Sequence, residues 1–360
     1  MRKNNGITLI ALIITIIILL ILVGVSINLA IKGDLFGSAE KAVDGTNAKV
    51  EQEQTRVDEL MEELNKINDK EKNEKNIRNI EEGIELIMEA EAKMFEIHSI
   101  IQRLSELSFK AANSVKAESD RNAIKTEAIQ LIGEINRVSS ETNYKNEKLL
   151  NGTFSRDVGA SGLFLEIEDL SADELGLDSS DIDTYFATAE TAATYLEKTD
   201  QAITKVSNNR SMAGAMQDSL DHLLKYYQDV ENIVSSNTSN VDKRIANAGL
   251  TEIEEMLKNC VKFCENLTNS NIYNQNPEVY KDQIEAYIMA IDHIGSNAQY
   301  NGQKLLDGSY NNISKINSTT LGGGTKLPTD VSTTENVQNT KQKYQEAINM
   351  VEKEIEKLGI

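Results

Sequence analysis

The residues of this chain with chemistry to offer are two cysteines, three histidines and a large set of carboxylates. Cys260 and Cys264 stand four apart, on one face of a helix, where a disulfide would be strained. They read as small buried apolar residues. A metal site needs more ligands, and His98, His222 and His293 are not at ligand spacing to these thiols. The carboxylates fall on the solvent faces of helices, whereas a general acid–base pair needs a shaped, partly dry site. The sequence has no H-E-x-x-H, no G-x-S-x-G and no phosphate-binding loop, since Gly322-Gly-Gly is not followed by Lys-Ser/Thr. The N-x-S/T triplets at Asn151, Asn209, Asn237, Asn266, Asn312 and Asn317 are what chance gives a chain this rich in Asn, Ser and Thr. No residue is assigned to catalysis, cofactor or metal; the chain reads as a non-enzyme without a small-molecule substrate.

What elements, then, does the sequence build? Of its 360 residues 5% are aromatic, none is Trp, and the only prolines are Pro277 and Pro328. Few bulky rings suit long helices over a thick core and argue against a deep pocket. A net charge of −20 with no Lys/Arg stripe excludes nucleic acid as a partner.

Residues 7–31 carry no charge and follow Arg2 and Lys3. At about 1.5 Å per residue a helix of that length crosses a hydrocarbon core of about 30 Å. The flanking bases leave the N-terminus cytoplasmic and the bulk of the chain outside. A secretory signal is the rival reading, but no A-x-A-like site follows promptly and the apolar run is too long. Lys3-Asn4-Asn5-Gly6-Ile7-Thr8-Leu9-Ile10 resembles the type IV prepilin leader. That resemblance implies cleavage between Gly6 and Ile7 by a prepilin peptidase. The family's fifth mature residue is Glu; here it is Ala11.

Residues 32–75 read as a charged helical stalk, with Val57, Leu60, Leu64 and Ile67 at helical spacing; a disordered linker past Asp69 is the alternative. From Asn76 a seam of Ile80, Ile84, Ile87, Met94, Ile97, Ile101 and Leu104 asks for partner helices. A second helix carries Ile124, Ala128, Leu131, Ile135 and Val138. Leu163, Leu165 and Ile167 alternate at strand spacing, which predicts one β-hairpin at about 154–177 with Gly159–Gly162 as its turn. A third helical run extends from near Ile182 to about Ala246. The fold class is mainly α: a long antiparallel helical bundle or coiled-coil rod with one small hairpin, behind a transmembrane helix.

These residues resemble the rod region of bacterial flagellin. The likeness rests on His98-Ser-Ile-Ile-Gln-Arg-Leu-Ser-Glu-Leu107, Ala111-Ala-Asn113, Ser119-Asp-Arg121, Glu134-Ile-Asn-Arg137 and Lys148-Leu-Leu-Asn-Gly152. Further matches are Leu165-Glu-Ile-Glu-Asp-Leu-Ser171, Val206, Arg210 and Gly214-Ala-Met-Gln217, with Lys243–Ala248 at the end of the C-terminal rod helix. The resemblance implies a structural protein of the flagellum or cell surface that associates with itself or with other surface-filament subunits. It implies contact roles for Gln102, Arg103, Glu106, Leu107, Asn113, Arg121, Arg137, Arg210 and Gln217. In that family the surface around Gln102, Arg103, Glu106 and Leu107 is read by the flagellin-sensing Toll-like receptor; Ser105 and Lys110 depart from the usual pattern, and packing and solvating the rod is the preferred role here. The helices that form the inner tube of a flagellin filament have no recognisable counterpart.

Residues 250–310 repeat 94–154 without a gap, most clearly in Tyr300–Tyr310 against Tyr144–Phe154. The tail, Ala347-Ile-Asn-Met-Val351, resembles Ala202-Ile-Thr-Lys-Val206 and reads as a second C-terminal rod helix cut short, hence a less stable unit. The expected organisation is a leader at 1–6, a membrane helix at 7–31, a stalk at 32–75 and a rod at 76–249. A partial repeat follows at 250–317, then a flexible linker at 318–335 and a helix at 336–360. The leading functional reading is a membrane-anchored structural rod; a genuine flagellar or pilus-like filament subunit and an extracellular sensor or adhesin stalk are the alternatives.

Overall fold

A computed structural model describes residues 39–113, 118–236, 238–268 and 277–360. The expected membrane helix at 7–31 and the leader with Gly6 and Ile7 lie outside them. Among the described residues no helix is long and apolar enough to cross a membrane. The chain divides into two units, 1–69 and 70–360.

In the first unit the described residues are the opening part of helix α1 (Ala39–Ala112). Leu60, Met61 and Ile67 are exposed there, while Val57 and Leu64 of the stalk's apolar stripe are half-buried. Its Lys66–Glu62 pair, at 2.7 Å, is a solvated i,i+4 contact worth only tenths of a kcal/mol.

The second unit holds two consecutive rods. The first takes residues 70–112 of α1, then α2 (Glu118–Glu141), two hairpins, α3 (Ile182–Tyr185) and α4 (Ala189–Ser235). Strands β1 (Asn143–Tyr144) and β2 (Glu147–Lys148) are antiparallel, Tyr144 opposite Glu147. Lys145 and Asn146 both take positive φ, 48° and 71°, as a two-residue hairpin turn demands. Strands β3 (Ser155–Asp157) and β4 (Phe164–Glu166) pair Arg156 with Leu165. Leu163, Leu165 and Ile167 all point into the core, as their alternation predicts. The helical seam of Ile80, Ile87, Met94, Ile97, Ile101 and Leu104 is buried as well.

The second rod is built from α5 (Val241–Thr268), α6 (Pro277–Asn297), β5 (Gln299–Tyr300), β6 (Gln303–Lys304), α7 (Ser318–Leu321) and α8 (Thr334–Leu358). It reproduces the first nearly residue for residue. α5 ends 156 positions after α1 and α6 ends 156 after α2. The hairpin turn falls on Asn301 and Gly302, φ 50° and 75°. The first rod closes a loop with Leu170 N–H donating to Leu150 O at 3.0 Å, and the second with Ile316 N–H to Leu306 O at 2.8 Å. That offset has dropped to 146, because the second rod has no counterpart of β3–β4. Thr188 and Thr333, 145 apart, each cap the N-terminus of α4 or α8. Asn209 accepts from Glu168 N–H, and Glu354 at the same place in α8 accepts from Ser314 N–H.

Several expectations are corrected. The third helical run ends at Ser235 and a new helix starts at Val241, with Asn240 before it at φ 58°; Lys243–Ala248 open α5 instead of closing α4. Three hairpins, not one, appear among the described residues, since two-residue strands are too short to show alternation. Residues 318–335, expected to be a flexible linker, are packed: Leu321, Leu327 and Val331 are buried and Tyr344 Oη donates to Pro328 O at 3.0 Å. Nor do all carboxylates face solvent, because Glu252 and Glu354 are buried. The short tail has a partner: α8 buries Val337, Tyr344, Ala347, Val351 and Leu358, and Lys341 pairs with Glu265 of α5 at 3.0 Å.

Candidate protein-contact face

Helix α1 presents the rod's outer face. Its core seam fixes which side is left over, and on that side Met88, Phe95, Gln102 and Phe109 recur every seven residues, two helical turns apart, so they form one line along the helix. Met88, Phe95 and Phe109 are 56%, 55% and 58% exposed, more than water tolerates cheaply for side chains of this size in a row. Gln102 and Glu106, both exposed, lie between Phe95 and Phe109. Glu91 and Arg210 of α4 close one flank: the guanidinium donates from Nη2 to Glu91 Oε1 at 2.7 Å and sits 5.1 Å over the Phe95 ring.

Arginines bridge α1 to α2 on the other flank. Arg103 donates from Nε to Glu127 at 2.7 Å and from Nη1 to Glu106 at 2.8 Å. Glu127 and then Glu106 hold its guanidinium firmly charged. Arg137 is gripped by Glu134 at 2.5 Å and Glu141 at 2.7 Å, with Glu96 of α1 at 4.0 Å. Such planar forks orient a surface more than they stabilise it. His98 sits beneath, its Nε2 3.1 Å from the Gln102 amide; burial first, then the Arg210 charge, pushes its pKa down.

The structure therefore brings Gln102, Arg103, Glu106 and Arg210 around one face, with Arg137 at its edge. Leu107, expected in the same set, is buried and belongs to the core. Asn113 serves the end of α1, its Nδ2 donating to Phe109 O at 3.1 Å. Arg121 on α2 and Gln217 on α4 are half-buried. Sequence reasoning missed Met88, Phe95 and Phe109 because they lie off the seam; their seven-residue spacing was the available signal.

A second polar constellation joins α4 to α5. Buried Glu252 receives His222 Nδ1 at 3.0 Å and Lys225 Nζ at 2.5 Å, and Lys225 also reaches Glu255 at 3.0 Å. Burial alone would raise the Glu252 pKa, but the His222 and Lys225 hydrogen bonds outweigh it and the net shift is downward. Glu252, Glu255 and His222 present ligand atoms within 4.8 Å of one another, close enough for a metal ion, yet the Lys225 ammonium already supplies the positive charge between the carboxylates. The His222–Glu252 contact, which sequence spacing does not signal, ties two helices together. What the arrangement offers is docking: forks, apolar lines and satisfied ion pairs, with the reactive thiols of Cys260 and Cys264 buried.

Comparison with known proteins agrees. Residues 68–155 match the bacterial flagellin N-terminal helical region. Flagellin of Halalkalibacterium halodurans is 35% identical over 206 residues, spanning 55% of this chain and 69% of the relative. Flagellin of Bacillus subtilis is 31% identical over 221 residues, 51% of this chain and 71% of the relative. The crystal structure of Bacillus cereus flagellin covers 41% of this chain and 87% of its own at 25% identity, with a TM-score of 0.35. This chain belongs to the flagellin family, whose members are structural filament proteins and not enzymes.

Proposed function

We propose that this chain is a surface-displayed structural rod that packs the α1 face of its first rod against other copies of itself, and that residues 7–31 hold it in the cytoplasmic membrane with the bulk of the chain outside. The exposed line of Met88, Phe95 and Phe109 carries this reading. In the second rod the equivalent positions, 156 residues on, are Arg244, Thr251 and Glu265, so the apolar line is confined to the first. Exposed apolar side chains in register along one helix mark a protein interface. Gln102 and Glu106 give that face its polar contacts, Arg103, Arg137 and Arg210 keep its flanks rigid, and Leu107 anchors it from within. The uncharged run at 7–31 behind Arg2 and Lys3 supports the anchor. The prepilin-like leader supports processing at Gly6–Ile7 by a prepilin peptidase, which would leave the 7–31 anchor on the chain.

N-terminal mass spectrometry on fractionated cells tests the anchor. Met1 intact in the membrane fraction is the expected result. An N-terminus at Ile7 in sheared surface material would overturn the fixed anchor and favour a processed filament subunit.

A further inference from the structure

In the second unit the helices find their partners within the chain. Beyond Ala213 helix α4 is buried on two sides, with Met216, Leu220, Leu223, Tyr226 and Tyr227 among the buried residues. One side serves the first rod, where Asn73 Nδ2 donates to Tyr227 O at 3.0 Å. The other meets α6: Tyr227 Oη lies 2.8 Å from His293 Nε2, and Tyr287 Oη donates to Asp218.

The stalk part of α1 is different. Val50, Leu60, Met61 and Ile67 are 45%, 44%, 42% and 54% exposed. Val50, Val57 and Leu64 stand seven apart, and Leu60 and Ile67 each follow the last two by three. These are the a and d positions of a coiled coil, with Val at two a positions and Leu and Ile at d, a choice that favours two parallel strands. The charges keep off the stripe: Glu51, Asp58, Glu59 and Glu62 fall at b, c and f. Along its flanks a parallel pair would set Arg56 beside Met61 and Glu63 beside Asn68, with no like-charged pair. Glu53 is the one polar d residue between Val50 and Ile67, and a single polar seam residue fixes register at a cost in stability. The stripe stops where Glu71 and Glu74 take the next a and d positions. Ile80 and Ile87 fall on another phase of the heptad, so the stripe is not an extension of the rod's core seam. An amphipathic helix gets most of its stability by packing that face, and the exposed Lys66–Glu62 pair does not replace such packing.

We infer that residues 50–67 form a parallel two-stranded coiled coil with the same residues of a second copy of this chain. The occupant follows from the chain upstream. The uncharged run at 7–31 ends shortly before α1 begins at Ala39. Two copies held by that run in one membrane leave it side by side and in the same direction, at a high effective concentration. A like helix presents the same stripe in the same register, so Val meets Val and Leu meets Leu. The direction of the pair rests on the membrane anchor proposed above; the α1 face of the first rod takes no part in it.

Single cysteines test it on the full chain in membranes of the cells that make it, because Cys260 and Cys264 are buried. Under mild oxidation V57C and L60C should give a two-chain adduct, and E62C, on the opposite face of the helix, should lose it. Differently tagged V50C and I67C chains made together should not join to each other; an adduct between them would mean an antiparallel pair and overturn the inference. Equal adducts from V57C, L60C and E62C would mean random collision and overturn it too. The V57C adduct should survive F95D/F109D, which strips the α1 face of the first rod, and its loss in that background would place the association elsewhere. Membrane-bound chain without V57C or L60C adducts overturns the coiled coil and keeps the anchor. Chain recovered outside the membrane with those adducts intact overturns the anchor and keeps the coiled coil.

Discussion

Asn136 and Asp292 stand 156 residues apart and do the same work. The Asn136 Oδ1 accepts from Ala172 N–H at 2.8 Å, and Asp292 Oδ1 accepts from Ser318 N–H at 2.6 Å. In each rod a side chain on the second helix pins the loop that leads toward the C-terminal helix. Asp292 adds a bond from Ser318 Oγ at 2.8 Å. The internal repeat is therefore a repeat of interactions, carried past the point where sequence identity fades.

Removing either pin leaves a part-buried backbone N–H without its acceptor, which costs about 1–3 kcal/mol. N136A should loosen amide protection around 170–177 and D292A around 314–321, each without changing the other rod. Hydrogen exchange on the two variants checks this; equal loosening in both rods from either substitution would mean that they are not separately pinned.

Gly83 and Gly159 mark where the β3–β4 turn touches α1. A Cβ on Gly83 would lie 2.8 Å from the Gly159 Cα, backbone that cannot step aside. Gly159 takes φ 71°, and its own Cβ would meet Leu220 at 2.8 Å. G83A should cost about 1–3 kcal/mol, and G159A more, since it adds left-handed strain to the clash. Neither is expected to match G133A, where a Cβ meets open space and Ala is the better helix former by about 1 kcal/mol. Chemical denaturation ranks the three.

His293 should make the seating of the second rod depend on pH. Burial first lowers its pKa; Ser161 O opposes that shift, Lys72 and Lys304 add to it, and Asp157 opposes it. A depressed folded pKa means its stabilisation is complete above the unfolded value of about 6.5 and is lost as pH falls below it. Exchange over α4 residues 223–233 should quicken between pH 7 and pH 5. H293Q, which cannot charge, should flatten that dependence.

Cys260 and Cys264 report on α5–α8 packing. Burial pushes the Cys264 thiol up to about 11 and raises that of Cys260 as well. A thiol reagent at pH 8 should label neither until the second rod opens, and Y344A, which removes the ring packed beside Cys260, should speed labelling of both. Rapid labelling of the unsubstituted chain would contradict the packing.

Much of this was legible in the sequence. The α1 seam, the β3–β4 alternation and the repeat each follow from spacing, because a buried face must recur with the period of its element. Some of it was not. The line of Met88, Phe95 and Phe109 hid beside a stronger seam. The second buried side of α4 is invisible in a helix that turns apolar all round, since periodicity names a face only while another face is polar. Buried Glu252 looked like any surface acid; only the approach of His222 and Lys225 from 30 and 27 residues away gives it a place. The packing of Leu321, Leu327 and Val331 was masked by the glycines between them, whose turns serve a fold the local sequence does not reveal.

On the proposed function, the first rod's α1 face binds other copies of the chain and the second rod's equivalent face does not. A photo-crosslinking amino acid placed at Phe95 on cells, with the same group at Thr251 as its partner 156 residues on, tests this directly. Chain-to-chain adducts from position 95, weakened by F109D and absent from position 251, are the expected result. No adducts at 95, or equal adducts from both positions, would contradict it.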